Sequence, residues 1–200
     1  MDPFESRHEF EKREFKNLQY REGRVEKTEF EACTFIKCSF RDTKFIGCRF
    51  RGCTFRGCDL GMVDLTGCEW VECRFEDCQL IGINWTKTTW EKGVYLKPVD
   101  FNKCVLNHSS FLGLNLKKVQ INHCVANNVD FAEASLTGAN CAGTDFLESR
   151  FLHTDLTEAD FTGAFHYSIS PGHNTLKKTR FALPEAMALL HGLDIILSEE

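Results

Sequence analysis

The chain has 200 residues, 42% of them hydrophobic and 26% charged, with a formal net charge of −5. That composition describes a globular chain of one ordinary domain, or one long domain built by repetition, and excludes a disordered one. The negative balance argues against a protein that coats nucleic acid, which needs clustered Lys and Arg. Met1 to His8 is charged and has no apolar core, so no signal peptide is expected. No run approaches the length of a membrane span. A reducing cytoplasm is therefore the expected compartment, where the 11 Cys are expected as thiols.

The 18 Phe residues reveal the organisation. Stepping by five from Phe10 passes Phe15, Tyr20, Val25, Phe30, Phe35, Phe40, Phe45, Phe50 and Phe55, then Leu60, Leu65, Trp70, Phe75, Leu80, Trp85, Trp90 and Tyr95. One residue is inserted near Lys97 and Pro98. The step then resumes through Phe101, Leu106, Phe111, Leu116, Ile121, Ala126, Phe131, Leu136, Cys141, Phe146, Phe151, Leu156 and Phe161, with Leu176 and Phe181 in the same phase. Only Phe4 and Phe165 among the Phe residues leave this register.

Two residues before each large side chain stands a small or β-branched one for most of the chain. Ten Cys occupy that place: Cys33, Cys38, Cys48, Cys53, Cys58, Cys68, Cys73, Cys78, Cys104 and Cys124. Buried Cys behaves as a small hydrophobe, and no C-x2-C pair offers zinc-ligand spacing. Packing, not metal or redox chemistry, is the expected role.

A period of five drifts around an α-helix and alternates faces on a straight strand. If the chain turns a corner every five residues, four repeats close a square coil of 20 and all large side chains point inward. Phe35, Phe55 and Phe75 then form a column, as do Phe111, Phe131 and Phe151, Leu116, Leu136 and Leu156, and Cys33, Cys53 and Cys73. Roughly nine coils would stack into a rod of about 40 Å. The first coils look irregular, because His8, Arg13 and Leu18 fill the small position, and regular coil is expected from Phe30.

A tandem of this form resembles the pentapeptide-repeat proteins. The resemblance implies an all-β fold, a right-handed quadrilateral β-helix (solenoid). It would occupy residues 1–182 with a break near 96–100, and residues 183–200 would form a short C-terminal capping helix and a strand. Pro184 and Glu185 suit the first turn of that helix, Gly192 suits its end, and Leu193 to Leu197 reads as an apolar strand. Ala186, Leu189, Leu190 and Leu193 form an apolar stripe, either a cap on its own coil or a contact with a second copy. Such an end is similar to the gyrase-protecting members, where it is the dimer interface. That implies a homodimer through Ala186, Leu189, Leu190, Leu193, Ile195 and Ile196. The segment from Asn84 to Tyr95 and the tail Leu183-Pro184-Glu185-Ala186 resemble most closely the albicidin-immunity type. Unlike the quinolone-resistance (Qnr) type, the repeats show no long insertion that would form a projecting loop.

No phosphate-binding loop, dinucleotide fingerprint or zinc-protease motif is present, and nothing in the sequence supports an enzyme or a cofactor. His123 beside Cys124 and Cys104 near His108 read as repeat positions. Asn84-Trp85-Thr86 matches a glycosylation sequon that is inert without secretion.

The exterior is segregated by charge. Lys37, Arg41, Lys44, Arg49, Arg51 and Arg56 face only Asp42 across residues 37 to 56. Asp59, Asp64, Glu69, Glu72, Glu76 and Asp77 then face only Arg74. Further on, Asp130, Glu133, Asp145, Glu148, Asp155, Glu158 and Asp160 face only Arg150.

Three readings compete. In the first, these carboxylates stand in for phosphates on a DNA-mimicking rod, and the family resemblance implies DNA gyrase or topoisomerase IV as the partner, protected from a poison. The candidate surface is Asp130, Glu133, Asp145, Glu148, Asp155, Glu158, Asp160, Asp59, Asp64 and Glu69. In the second, the chain is a structural protein–protein interaction module. The third, an enzyme or metal protein, has the least support. An ice-binding surface is disfavoured by outward charge, and direct nucleic-acid binding by net charge, with the basic segment 37–56 as its one candidate face.

Overall fold

The structure, a computed structural model, describes residues 3–4, 8–89, 99–193 and 195. The chain winds into a parallel β-solenoid of about eight coils, near the nine expected. At about 4.8 Å per coil this makes a rod of about 38 Å.

Each five-residue unit is built alike. Three residues run extended, with the middle one buried, as in Thr34–Ile36 and Thr54–Arg56. The next residue adopts a left-handed φ that turns the corner, and the small residue follows inside. Glycine supplies that φ at Gly47, Gly52 and Gly57, but Lys37, Asp42 and Glu133 adopt it too. Each non-glycine residue there costs about 1 kcal/mol or more, which the ladder and the buried side chains must offset.

Four walls follow in chain order. The first carries the stacked rings Phe10, Phe30, Phe50 and Trp70, with centroids 5.3, 4.9 and 4.3 Å apart. Beyond the break it continues with Leu116, Leu136 and Leu156. The second runs Phe15, Phe35, Phe55, Phe75, Phe101 and Ile121 in register. The third holds Phe40, Leu60, Leu80, Leu106, Ala126 and Phe146. The fourth holds Val25, Phe45, Leu65, Trp85, Phe111, Phe131 and Phe151. The expected columns are all present.

The small position does more than save space. At open corners the carbonyl of the large residue makes no hydrogen bond to the N–H three residues on, and a side chain one coil later reaches it. The Cys33, Cys53 and Cys78 thiols donate to the carbonyls of Phe10, Phe30 and Phe55 at 3.3, 3.3 and 3.4 Å. Thr43 and Ser109 do the same for Tyr20 and Leu80. At closed corners the backbone bonds itself, as Thr43 N to Phe40 O and Leu116 O from Val119 N. One coil after those two corners stand Val63 and Ala139, which have no donor to offer. Cys versus Ala or Val therefore reports the kind of corner beneath it, because a buried carbonyl needs a partner.

Three expectations change. The coil is regular from its start, with Glu9–Glu11 paired to Glu29–Glu31 and Glu14–Lys16 to Thr34–Ile36. Phe4, off the register, is buried over the first coil and meets the rings of Phe10, Phe15, Tyr20 and Phe30 at 5.0 to 5.8 Å. The break is also larger than one residue. Phe75 pairs with Phe101 and Asn84 with Ser110, an offset of 26 where the preceding coils use 20. Thr89 still pairs with Glu69, so an insertion of six residues lies before Val99. It replaces the one-residue insertion expected near Lys97 and Pro98. A period of five cannot tell six extra residues from one. Trp90, Tyr95, Lys97 and Pro98 lie outside the described residues.

Candidate partner-binding surface

The repeat turns every fifth residue onto the next wall, so the ten candidate carboxylates are shared among all four. Glu69, Asp155 and Glu158 belong to the first wall, Asp160 to the second, Asp59, Asp145 and Glu148 to the third, and Asp64, Asp130 and Glu133 to the fourth. Glu133, Glu148 and Glu158 are exposed at left-handed corners, and the other seven are half-buried.

The aspartates have a local duty. Each of Asp59, Asp64, Asp130, Asp145, Asp155 and Asp160 precedes an inward large residue, and its Oδ1 accepts the N–H two residues on. Those N–H groups belong to Gly61, Thr66, Ala132, Leu147, Thr157 and Thr162, at 2.9 to 3.2 Å. This turn-closing bond is the aspartate side chain's usual use. Threonine hydroxyls at Thr66, Thr157 and Thr162 are the main reason that Asp64, Asp155 and Asp160 are held below the usual carboxyl range. A depressed folded-state pKa adds stability above the unfolded value of about 4 and loses it as pH falls through the folded one. The melting temperature is thus expected to be flat from about pH 7 to 5 and to drop below about pH 4. Asp160→Asn, which keeps the turn bond, should soften that drop. A stability maximum below pH 4 would contradict this account.

Neighbouring coils also pair opposite charges. Arg49 lies 2.6 Å from Glu69 and 3.5 Å from Glu29, Arg56 2.8 Å from Glu76, Arg150 3.5 Å from Asp130, and Arg180 3.6 Å from Asp160. The segment 37–56, weighed above as one basic face, instead wraps the rod. Arg49 and Arg51 lie on the first wall, Lys37 and Arg56 on the second, Arg41 on the third and Lys44 on the fourth. Such exposed pairs contribute at most about 1 kcal/mol each, but they cancel field where a partner would feel it.

Family models decide the kinship. One described as a pentapeptide repeat region matches residues 28–100, and one described as pentapeptide repeats (8 copies) matches residues 127–163, together more than half of the chain. The chain belongs to the pentapeptide-repeat family. No curated protein matches it significantly. Among solved structures it is similar to a trypsin-treated variant of QnrB1, a plasmid-mediated fluoroquinolone resistance protein, at 15% identity and a TM-score of 0.62, over 96% of this chain and 100% of that one. It is also similar to HetL from Nostoc sp. strain PCC 7120, a pentapeptide-repeat protein involved in heterocyst differentiation regulation. That match has 14% identity and a TM-score of 0.52, over 87% of this chain and 81% of that one. These likenesses establish the fold.

In this pentapeptide-repeat rod the cysteines are structural. All 11 are buried and unbridged; contacts with thiols of adjacent coils together with burial push Cys78 and Cys104 up to about 12, whereas the Cys68 thiol holds Cys48 below its usual value. A thiol kept protonated, as at Cys78 and Cys104, is a poor nucleophile. Among the described residues no group of three His, Cys, Asp or Glu could hold a metal ion, and no helix is long and apolar enough to cross a membrane. A polar recess of about 420 Å³ on the second wall is lined by Arg74, Glu76, Asp100, Asn102, Gln120 and Asn140 among others. His123 also lines it, and Glu76 is ion-paired with Arg56.

The C-terminal end differs from the expected stripe. Glu185–Gly192 is a 3-10 helix, whose three-residue period places Met187, Leu190 and Leu193 in line. Ala188 and Leu189 pack against the core, Ala186 and Leu190 are half-buried, and Met187, Leu193 and Ile195 are exposed. Leu193 and Ile195 lie in no strand, and Ile196 falls outside the described residues. The sequence reading missed Met187, because it assumed an α-helical period.

Proposed function

We propose that this protein binds DNA gyrase or topoisomerase IV as an imitation of DNA and protects it from a topoisomerase poison, as a resistance or self-immunity protein. The observation that carries the reading is the run from 126 to 166, where seven carboxylates face one arginine and stand on all four walls of a narrow rod. The resemblance of the Asn84 and Leu183 segments to the albicidin-immunity type supports the class of poison. The acting form is a homodimer through the C-terminal end. Phe4 closes the other end, while Met187, Leu193 and Ile195 leave this one apolar and exposed. Two joined rods would reach about 80 Å.

The test is DNA supercoiling by purified gyrase, titrated with the protein with and without albicidin. Inhibition at high protein, or rescue of supercoiling at low protein, is the expected result. No effect in either arm with folded protein would remove the reading. The turn-closing bonds of the aspartates favour a second reading, an interaction module whose acidic residues serve the repeat. Changing Asp130, Asp145, Asp155 and Asp160 to Asn keeps those bonds and removes the charge. A DNA mimic should then lose at least about 10-fold in binding, whereas a generic module should lose little.

A further inference from the structure

Exposed apolar side chains are not scattered over the rod. Outside the C-terminal cap, the described residues include five large ones: Met62 (54% exposed), Leu147 (44%), Leu112 (42%), Val125 (37%) and Phe165 (37%). Leu112 belongs to the fourth wall. The other four share the third, with Met62 on its corner. Val105, Val125, Asp145 and Phe165 are successive rungs there, joined by parallel bridges, and Leu147 flanks the Asp145 rung. Phe165 breaks the five-residue beat because it sits one place early, where side chains point outward.

The same stretch of the third wall adds carboxylates to these apolar groups. Between Val105 and His166 it carries Asp145 and Glu148 and no Lys or Arg. Within the same span the first wall has Lys117 and Lys118 and the fourth Arg150, while the second, like the third, has no Lys or Arg and carries Asp160 alone. Besides its turn bond from Leu147, Asp145 meets an imidazole, His166 at 2.9 Å, and Glu148 accepts a hydrogen bond from Asn128. An apolar centre rimmed by carboxylates is the complement of a protein surface with Lys or Arg around an apolar contact.

We infer that the third wall from Val105 to His166 is the docking face, and that it binds a surface of the topoisomerase on which basic residues border an apolar patch. This rests on the proposed function and adds to it which wall makes contact. Binding energy then resides in Leu147 and Phe165, with the carboxylates setting approach and orientation.

Binding of the full-length protein to purified gyrase holoenzyme tests this. Leu147→Ala with Phe165→Ala should weaken binding at least about 10-fold, and Leu112→Ala, the same chemistry on another wall, should leave it unchanged. Asp145→Asn with Glu148→Gln should weaken binding at low salt and converge with the parent at high salt. Leu147→Lys, which removes no buried contact, should abolish binding while preserving the melting temperature. It keeps the test valid if the double truncation unfolds. Parent-like affinity of the third-wall variants, or equal loss in Leu112→Ala, overturns the inference while the proposed function stands. If the parent protein does not bind gyrase, both fall together.

Discussion

Thr144→Val is expected to destabilise the rod by about 2–6 kcal/mol although valine is close to threonine in shape. The Thr144 hydroxyl sits at an open corner. It accepts the N–H of Cys124 at 3.1 Å and donates to the carbonyl of Ile121. Those two groups would close the turn themselves at a closed corner; here the hydroxyl of the next coil stands between them. Valine removes both bonds and leaves two backbone groups buried without partners, at about 1–3 kcal/mol each. Thr144→Ser or Thr144→Cys should recover most of the loss, since Ser149 and Cys78 occupy equivalent corners. Urea denaturation of the four proteins measures this. A loss below about 1 kcal/mol for valine would mean the corner closes on its own, and that Cys and Thr are chosen at these places for size alone.

Phe4→Ala should cost about 3–5 kcal/mol and change how the protein associates. A solenoid end exposes apolar side chains and unpaired strand edges, so it needs a cover. Phe4 is that cover, packed edge-on against Tyr20 and Phe10 with ring centroids at 5.0 and 5.8 Å. Its removal uncovers the first-coil rings at the end opposite the proposed dimer contact. Hydrogen exchange should accelerate first in Glu9–Glu11 and Glu14–Lys16. Sedimentation should show assemblies larger than the parent's that grow with concentration, because two sticky ends permit open chains. Unchanged exchange and sedimentation would show that the first coil is closed by something else.

The period of five picked out nearly every core residue and the structural use of cysteine, and the resemblance to the pentapeptide-repeat proteins implied the four-sided solenoid. The period succeeds because burial repeats with the chain: each corner restores the same inward geometry, so one residue's environment predicts its neighbour's 20 positions away. Quantities invisible to that period needed the tertiary structure. An insertion of six mimics one of one, since both shift the beat equally. Cys against Ala or Val encodes the corner a coil away, which is apparent only once the coils are stacked. Phe4 and Phe165 look alike as exceptions, yet one closes an end and the other faces outward. The carboxylates show the same division. Their number and spacing are written in the chain, but which of them close turns, which meet a cation on the next coil, and which share a wall with exposed apolar groups depends on contacts between residues about 20 apart.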